Sequence, residues 1–382
     1  MTIRQPPYYH LQQEIRSALA DRAALCIRGG GSKDFLGPRH SGRTLETSAL
    51  SGIISYEPSE LVATVAAGTT VAELEATLAG EGQCLPFEPP HFCWNGAARA
   101  TIGGMVASGL CGPARAASGG LRDYVLGVSM INGRAEHLTF GGQVMKNVAG
   151  YDVSRLMVGA MGTLGVLTQV SLKVLPIAAS EATLVFEADQ STALHQLQRW
   201  LAQPLPLNAS CWVRDSSPQA PAGRDLLFVR LRGARSAVES GCTKMLGERG
   251  GVRMDNAQAQ PDWEHCRNQT LPFFVADVAP DMALWRLSVP QTTPPLAISW
   301  PQLIEWHGAL RWLWAPLDAG DGLRQEALRA GGSASLFVAP RSVPQAYFPL
   351  AVDEAELAIA RRLKASFDPQ GIFNPGRLYP GF

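Results

Sequence analysis

Residues 28–37 read Arg28-Gly29-Gly30-Gly31-Ser32-Lys33-Asp34-Phe35-Leu36-Gly37. They follow a short apolar run, Ala23 to Ile27, so the plain reading is a strand that ends in a glycine loop. Three successive glycines allow positive φ and let several N–H groups converge on one concavity, a nest suited to a phosphate. Ser32 adds a hydroxyl donor, and Arg28 or Lys33 supplies positive charge. On these ten residues alone, a flexible hairpin loop is an equally open reading. Two familiar phosphate loops are excluded. Asp34 stands where a GxGxxG fingerprint needs its third glycine, and no GK[ST] follows the glycines.

Working outward, residues 11–21 carry helical periodicity, 52–57 and 61–67 read as strands, and Thr69 or Thr70 caps a helix over Val71–Ala79. Residues 86–120 are dense in Gly, Pro, Ala and Ser without regular periodicity. They contain a second glycine segment, Thr101-Ile102-Gly103-Gly104-Met105-Val106-Ala107-Ser108-Gly109, preceded by Glu88-Pro89-Pro90-His91. Glycines interleaved with apolar residues suggest backbone pressed against something. Residues 121–131 and 135–140 read as a strand pair with a turn at Asn132-Gly133. A third segment runs from Gly150-Tyr151-Asp152 into Leu156–Thr168; its uncharged stretch, 156–172, is short for a bilayer span and reads as turn plus buried strand. Beyond Pro176, strands at 181–188, 208–214 and 225–232 alternate with helices at 190–202 and 235–249, giving a small α+β unit with helices on one sheet face. A last helix, Glu354–Phe367, precedes the turn Phe373-Asn374-Pro375-Gly376-Arg377.

The chain has 382 residues, about right for two domains. Thirty-three Lys and Arg balance thirty-three Asp and Glu, which gives no electrostatic case for nucleic acid or an anionic membrane surface. The seven cysteines include no CxxC pair, so no iron–sulfur or zinc ligand set is written here. The odd count, and an N-terminus that does not read as a signal peptide, lead us to expect a reducing cytoplasm and no membrane span.

In this order and spacing the three glycine segments resemble the FAD-binding domain of the vanillyl-alcohol-oxidase and p-cresol-methylhydroxylase (PCMH) type, and FDPQGIFNPGRLYP resembles that family's closing C-terminal motif. Within the family, RGGGSKDFLG, LPFEPPH, TIGGMVASGL, SGGLRDYVLG, FGGQVMKNVAGYDVSRLMVG, GTLGVLTQVSLKVLP, LPFF, LWRLSVP and GALRW are similar to the FAD-binding E subunits of bacterial glycolate oxidases. The resemblance implies an α+β fold: a PCMH-type FAD-binding domain over 1–176, a smaller α+β cap over 177–345, and a C-terminal segment, 346–382, that returns to the FAD domain. It implies that Arg28, Gly29, Gly30, Gly31, Ser32 and Lys33 surround the pyrophosphate, with Pro90, His91 and Thr101 nearby. Gly103, Gly104, Ser108 and Gly109 would line the ribityl and flavin side. Gly162, Thr163, Leu164, Gly165 and Val166 would close the adenine half, and Asn374 would return from the tail. Family members with covalent FAD use a His or Cys at the site; with Ser32 and Lys33 after the glycines, non-covalent FAD is expected.

Oxidising a 2-hydroxy acid with flavin needs a hydride path, a base and a cation for the carboxylate. The related catalytic subunits present paired histidines in a GDGNLH-like segment, whereas the corresponding Gly331–Ser335 has none. Arg286, Arg311 and His307 remain as candidates, each with a structural reading beside it: a salt-bridged or snorkelling arginine, a satisfied core histidine. The resemblance therefore implies an FAD subunit of a multi-subunit glycolate oxidase, supporting electron relay or assembly. The main chemistry would lie on a sister FAD subunit, with iron–sulfur clusters on another, and the assembly would be peripheral at the inner face of the plasma membrane. A self-sufficient FAD-dependent D-2-hydroxy-acid dehydrogenase and a cofactor-free scaffold stay open beside it.

Overall fold

The computed structural model describes residues 6–38, 42–93, 96, 98–142, 152–215, 223–343 and 353–379. The Gly150-Tyr151 part of the third glycine segment and the expected boundary at 345/346 lie outside them.

Strand Leu25–Arg28 leads into the first glycine loop and runs parallel to Arg43–Glu46. Leu25 also bridges Phe373, which brings the C-terminal tail to the same edge. Helix Tyr9–Asp21 seals this corner. Its Leu11, Ile15 and Ala18, spaced for one helical stripe, are fully buried against Leu25, Leu45 and Phe373. Beside it stands a five-stranded antiparallel sheet in the order Ile53–Glu57, Val62–Ala66, Val166–Lys173, Val125–Ile131, His137–Gly141. Strand Val166–Lys173 is central and almost wholly buried, as the turn-plus-strand reading of 156–172 requires.

Helix Val71–Gly80 packs Val71, Leu74 and Leu78 on this sheet and is capped by Thr70, whose hydroxyl accepts from Glu73 N–H. Thr69 is not the cap; its hydroxyl bonds Gly52 instead. The expectation of irregular chain through 86–120 is corrected at Ile102–Ser108, which is a helix. Two glycines cost about 1 kcal/mol each in helix propensity and erase the local signal. The helix forms because Thr101 accepts from Gly104 N–H and because Ile102, Met105 and Val106 are buried in the core.

The second unit is larger than expected. It is a single eight-stranded antiparallel sheet, ordered Val252–Arg253, Ser180–Glu187, Arg224–Gly233, Leu207–Asp215, Gln302–Glu305, Leu310–Pro316, Met282–Ser288, Ser333–Val338. Helices Gln190–Leu201, Arg235–Arg249 and Gly320–Arg329 cover one face. The expectation that all helices share that face is corrected. Helix Asn256–Asn268 lies on the other face through Ala259, Trp263 and Cys266, together with Leu36 and Phe92 from the first unit.

That second face is where the two units meet, through apolar packing and a buried ion network. Glu88 accepts from Arg230 at 2.7 and 2.8 Å, from Arg232 at 3.0 Å and from the Ala114 N–H at 3.1 Å. The tail closes the fold. Helix Glu354–Phe367 buries Lys364, which donates to Asp368, the Thr163 carbonyl and the Phe373 carbonyl. Among the described residues no helix is long and apolar enough to cross a membrane.

Candidate functional site

The glycine loop forms one wall of a cleft of about 520 Å³ lined by Ile27, Gly29, Thr47, Gly103, Gly104, Ala107, Met157, Met161, Gly162, Gly165 and Asn374, among others. Four segments distant in sequence thus meet, and much of the lining is bare backbone. The loop's glycines act differently from one another. Of the three successive glycines only Gly31 has positive φ, at 75°, and Gly37 at the loop's end has φ 67°. Gly29 and Gly30 are needed for close approach: a Cβ would lie 2.3 Å from Thr101 Oγ1 and 1.8 Å from the Arg99 carbonyl oxygen, respectively. The N–H groups of Gly29, Gly30 and Gly31 find no acceptor among the described residues, and of the three only Gly29 lines the cleft.

The charged neighbours divide. Arg28 is exposed and tied to Asp34 at 2.9 Å and Glu46 at 3.3 Å, so it is committed elsewhere. Lys33 has no carboxylate partner among the described residues; its Nζ sits 3.2 Å from Ser32 Oγ and over the Phe92 ring, and burial pulls it down to about 8. His91 is turned to the interface between the units, 3.0 Å from Glu75 and beside Arg267. Pro90 lines a separate small cavity there. Thr101 caps the Ile102–Ser108 helix, and Gly109 ends it with φ at 64°, packed on Gly159.

On the other wall Leu164 and Gly165 line the cleft, whereas Val166 is buried core. Thr163 spends its hydroxyl on the Ala160 carbonyl. Asn374 is the clasp: its Oδ1 accepts from Ile27 N–H at 2.9 Å and its Nδ2 donates to the Met161 carbonyl at 2.7 Å. Asn374→Ala leaves both groups unpaired, so it should cost about 1–3 kcal/mol in thermal or denaturant unfolding.

Met161 also lines a second cleft, of about 940 Å³, with Phe35, Gly37, Ser108, Leu110, Arg286, Ser335, Phe337 and Arg377. Here the candidate arginines separate. In the sheet register Arg286 pairs with Trp312 and Arg311 with Leu287, which puts their side chains on opposite faces. Arg286 faces the cleft. Its guanidinium lies 5.2 Å over the Trp306 ring and 5.9 Å over Trp312, and it makes no hydrogen bond or ion pair among the described residues. Burial, then the repulsion of Arg115, pulls it down to about 10. Arg311 faces the helices, fully buried, with its donors on the carbonyls of Gly308, Pro294 and Thr293. His307 lines neither cleft. It is buried at φ 57°, its Nδ1 is 3.1 Å from Ser210, and burial pushes it down to about 4.

Ser335, in the segment corresponding to the paired histidines of the related catalytic subunits, pairs in register with Arg286. Sequence reasoning missed Glu305, Trp306 and Arg377 near the second cleft. The first two sit in an apolar-looking run, SWPQLIEWHGAL, whose periodicity reads as core and nothing more.

Comparison with known proteins agrees with this geometry. Residues 8–154 match the family model "FAD binding domain", and 342–378 match "FAD linked oxidases, C-terminal domain". The chain is 40% identical to the glycolate oxidase subunit GlcE of Escherichia coli over 97% of its own length and 96% of that protein. It is 23% identical to the glycolate oxidase subunit GlcD of Bacillus subtilis over 94% of this chain and 84% of that one. Among solved structures it shares its fold with an alkyldihydroxyacetonephosphate synthase, with a TM-score of 0.67 and 15% identity, over 98% of this chain and 76% of that chain.

Proposed function

Because the chain belongs to the FAD-linked oxidases of the glycolate oxidase GlcE kind, and is thus a FAD-dependent oxidoreductase subunit, we propose that its first cleft holds FAD non-covalently and that its second receives a small 2-hydroxy acid. The observation that carries this reading is the junction of the two clefts at Met161, with Gly29 of the glycine loop lining one and the Arg286 guanidinium, which has no hydrogen-bond or ion-pair partner among the described residues, lining the other. The nest suits the pyrophosphate. Non-covalent attachment is supported by His91, which Glu75 and Arg267 hold at the interface between the units. When bound, the flavin supplies the hydride acceptor.

Arg286 would clamp the substrate carboxylate, since a planar guanidinium that hydrogen-bonds to no carboxylate among the described residues, lying over tryptophans, is arranged for bidentate pairing. Phe35, Leu110 and Phe337 would shield the reacting carbon from water. Among the described residues, no imidazole lines either cleft. This supports the chain as one flavin subunit of a multi-subunit glycolate oxidase, with the main proton chemistry on a sister FAD subunit and iron–sulfur clusters on another. We place that assembly in the cytoplasm, peripheral on the inner face of the plasma membrane. The unpaired Arg286 favours a second reading, a self-sufficient 2-hydroxy-acid dehydrogenase.

Anaerobic titration of the FAD-loaded chain with glycolate separates the two. We expect a perturbed flavin spectrum without bleaching for the isolated chain, and bleaching once partner subunits are added. Arg286→Ala should weaken the perturbation about 100-fold, or about 2.7 kcal/mol. Prompt bleaching of the isolated chain would overturn the subunit reading in favour of the self-sufficient one.

A further inference from the structure

Behind Arg286 lies a small cavity closed by both units, lined by Phe92, Leu110, Gly112, Cys266, Gln269, Arg286, Glu305, Trp306 and Trp312, among others. It shares Leu110 and Arg286 with the second cleft, so the guanidinium is the wall between them. Among the described residues, Glu305 is the one carboxylate lining it. It is 4% exposed and held from two sides: Oε2 accepts from Trp312 Nε1 at 2.7 Å, and Oε1 accepts from the Cys266 thiol at 3.1 Å. Gln269 is also buried there, with φ at 55°, and its Oε1 has no partner.

We propose that Glu305 is a positioning residue acting through Arg286, taking up a solvent proton when a small carboxylate binds that guanidinium. The proposal rests on the carboxylate-clamp reading of Arg286. Its physics is a three-charge balance. With the cleft empty, the Glu305 carboxylate and Arg286 stabilise each other's charge across the shared cavity. A bound carboxylate cancels that attraction and adds repulsion, so the neutral acid becomes the favoured form.

Among the described residues that line this cavity, Glu305 is the group placed near neutrality; Lys33, at about 8, lies over the Phe92 ring and does not line it. Burial pushes Glu305 up to about 7, against the opposing pull of Cys266, Trp312 and Arg286. On helix Asn256–Asn268, Arg267 is committed to Glu75 and the Pro89 carbonyl, and contact with Cys211 followed by burial raises the Cys266 thiol well above its usual range. Cys211, paired in register with Glu305, faces it from strand Leu207–Asp215. From the first unit, Cys111 is raised by burial, and Glu88 is consumed by Arg230 and Arg232. Arg115, 4.7 Å over the Trp306 ring, also faces Arg286, and Arg377 lines the second cleft with it. On Glu305's own segment His307 faces away, bonded to Ser210.

The test uses oxalate, a small carboxylate that carries no hydrogen on carbon to be oxidised, titrated into the FAD-loaded full chain and followed by the flavin spectrum. For the wild type the affinity should be level below about pH 7 and fall about tenfold per pH unit above it, with net proton uptake in calorimetry across buffers of different ionisation enthalpy. Glu305→Gln should bind oxalate with the slope and the uptake both abolished. Parallel slopes in wild type and Glu305→Gln, or no uptake by the wild type, would overturn the proposal; the uptake measurement stands even where the variant does not fold. Undiminished oxalate binding by Arg286→Ala overturns the clamp reading instead, so the two failures are distinguishable.

Discussion

Replacing Glu88 by alanine should lower the unfolding free energy by about 3–5 kcal/mol, the usual cost of stranding a buried charge. Arg230 is the charge left behind. Its side chain is 3% exposed, and the carboxylate it loses is the anchor joining the sheet of the second unit to the first. Trp263, 4.9 Å from its guanidinium, and Asn208, at 2.7 Å, cannot replace a formal charge. Denaturant unfolding followed by both flavin and tryptophan signals measures the loss, and the two signals should separate as the units uncouple. Burial alone would raise this carboxyl, but Arg230 and then Arg232 outweigh it and hold it at about 2. The folded group therefore binds its proton less readily than the unfolded one. Its contribution is full above the ordinary carboxylate range and is lost as pH falls through about 2. In Glu88→Gln that acid-side slope should vanish. A stability change within about 0.5 kcal/mol for Glu88→Ala would mean the network contributes no more than a surface residue.

Gly30→Ala should weaken FAD binding at least about 100-fold, or about 2.7 kcal/mol, read as loss of bound flavin absorbance and in reconstitution with added FAD. The new Cβ would lie 1.8 Å from the Arg99 carbonyl oxygen and 2.8 Å from its carbon, so backbone must move. What moves is the strand of chain that ends at Thr101, the cap of the helix presenting Gly103 and Gly104 to the cleft. A flexible side chain could rotate aside, but a carbonyl fixed by the Arg99 N–H to Gly30 carbonyl bond cannot. Gly80→Ala is the matching control, because a Cβ there meets nothing within 4 Å. Equal FAD affinity in Gly30→Ala and Gly80→Ala would show that the close approach of the two loops is dispensable for the site.

Much of the cleft was legible before any coordinates. Gly29, Gly103, Gly104, Gly162, Gly165 and Asn374 are conspicuous because glycine and a turn asparagine are costly where nothing requires them. The apolar lining, Ile27, Ala107, Met157 and Leu167, carries no such mark and is indistinguishable from core by pattern. His91 was misleading for the opposite reason. It lies close in sequence to the glycine segments, yet an ion cluster with Glu75 and Arg267, nearly 180 residues away, turns it to the interface. The helix Ile102–Ser108 was hidden by its own glycines, since local propensity opposed what burial of Ile102, Met105 and Val106 enforces.

The two arginines show the division most plainly. Alternation in LWRLSVP and GALRW marks both as strand residues, and it determines that each points opposite to its immediate neighbours. Nothing local says which face of the sheet will be covered by helices and which will meet the other unit. The pairing of Arg286 with Trp312 and of Arg311 with Leu287 settles that they part company. Packing of helix Gly320–Arg329 on one face, and of Leu36 and Phe92 on the other, then gives each its role. Glycine cost and strand period are local quantities, so the sequence by itself determined the glycine loop and the strands. Which side of a strand meets the flavin domain depends on contacts between residues hundreds apart, and only the tertiary structure decided that.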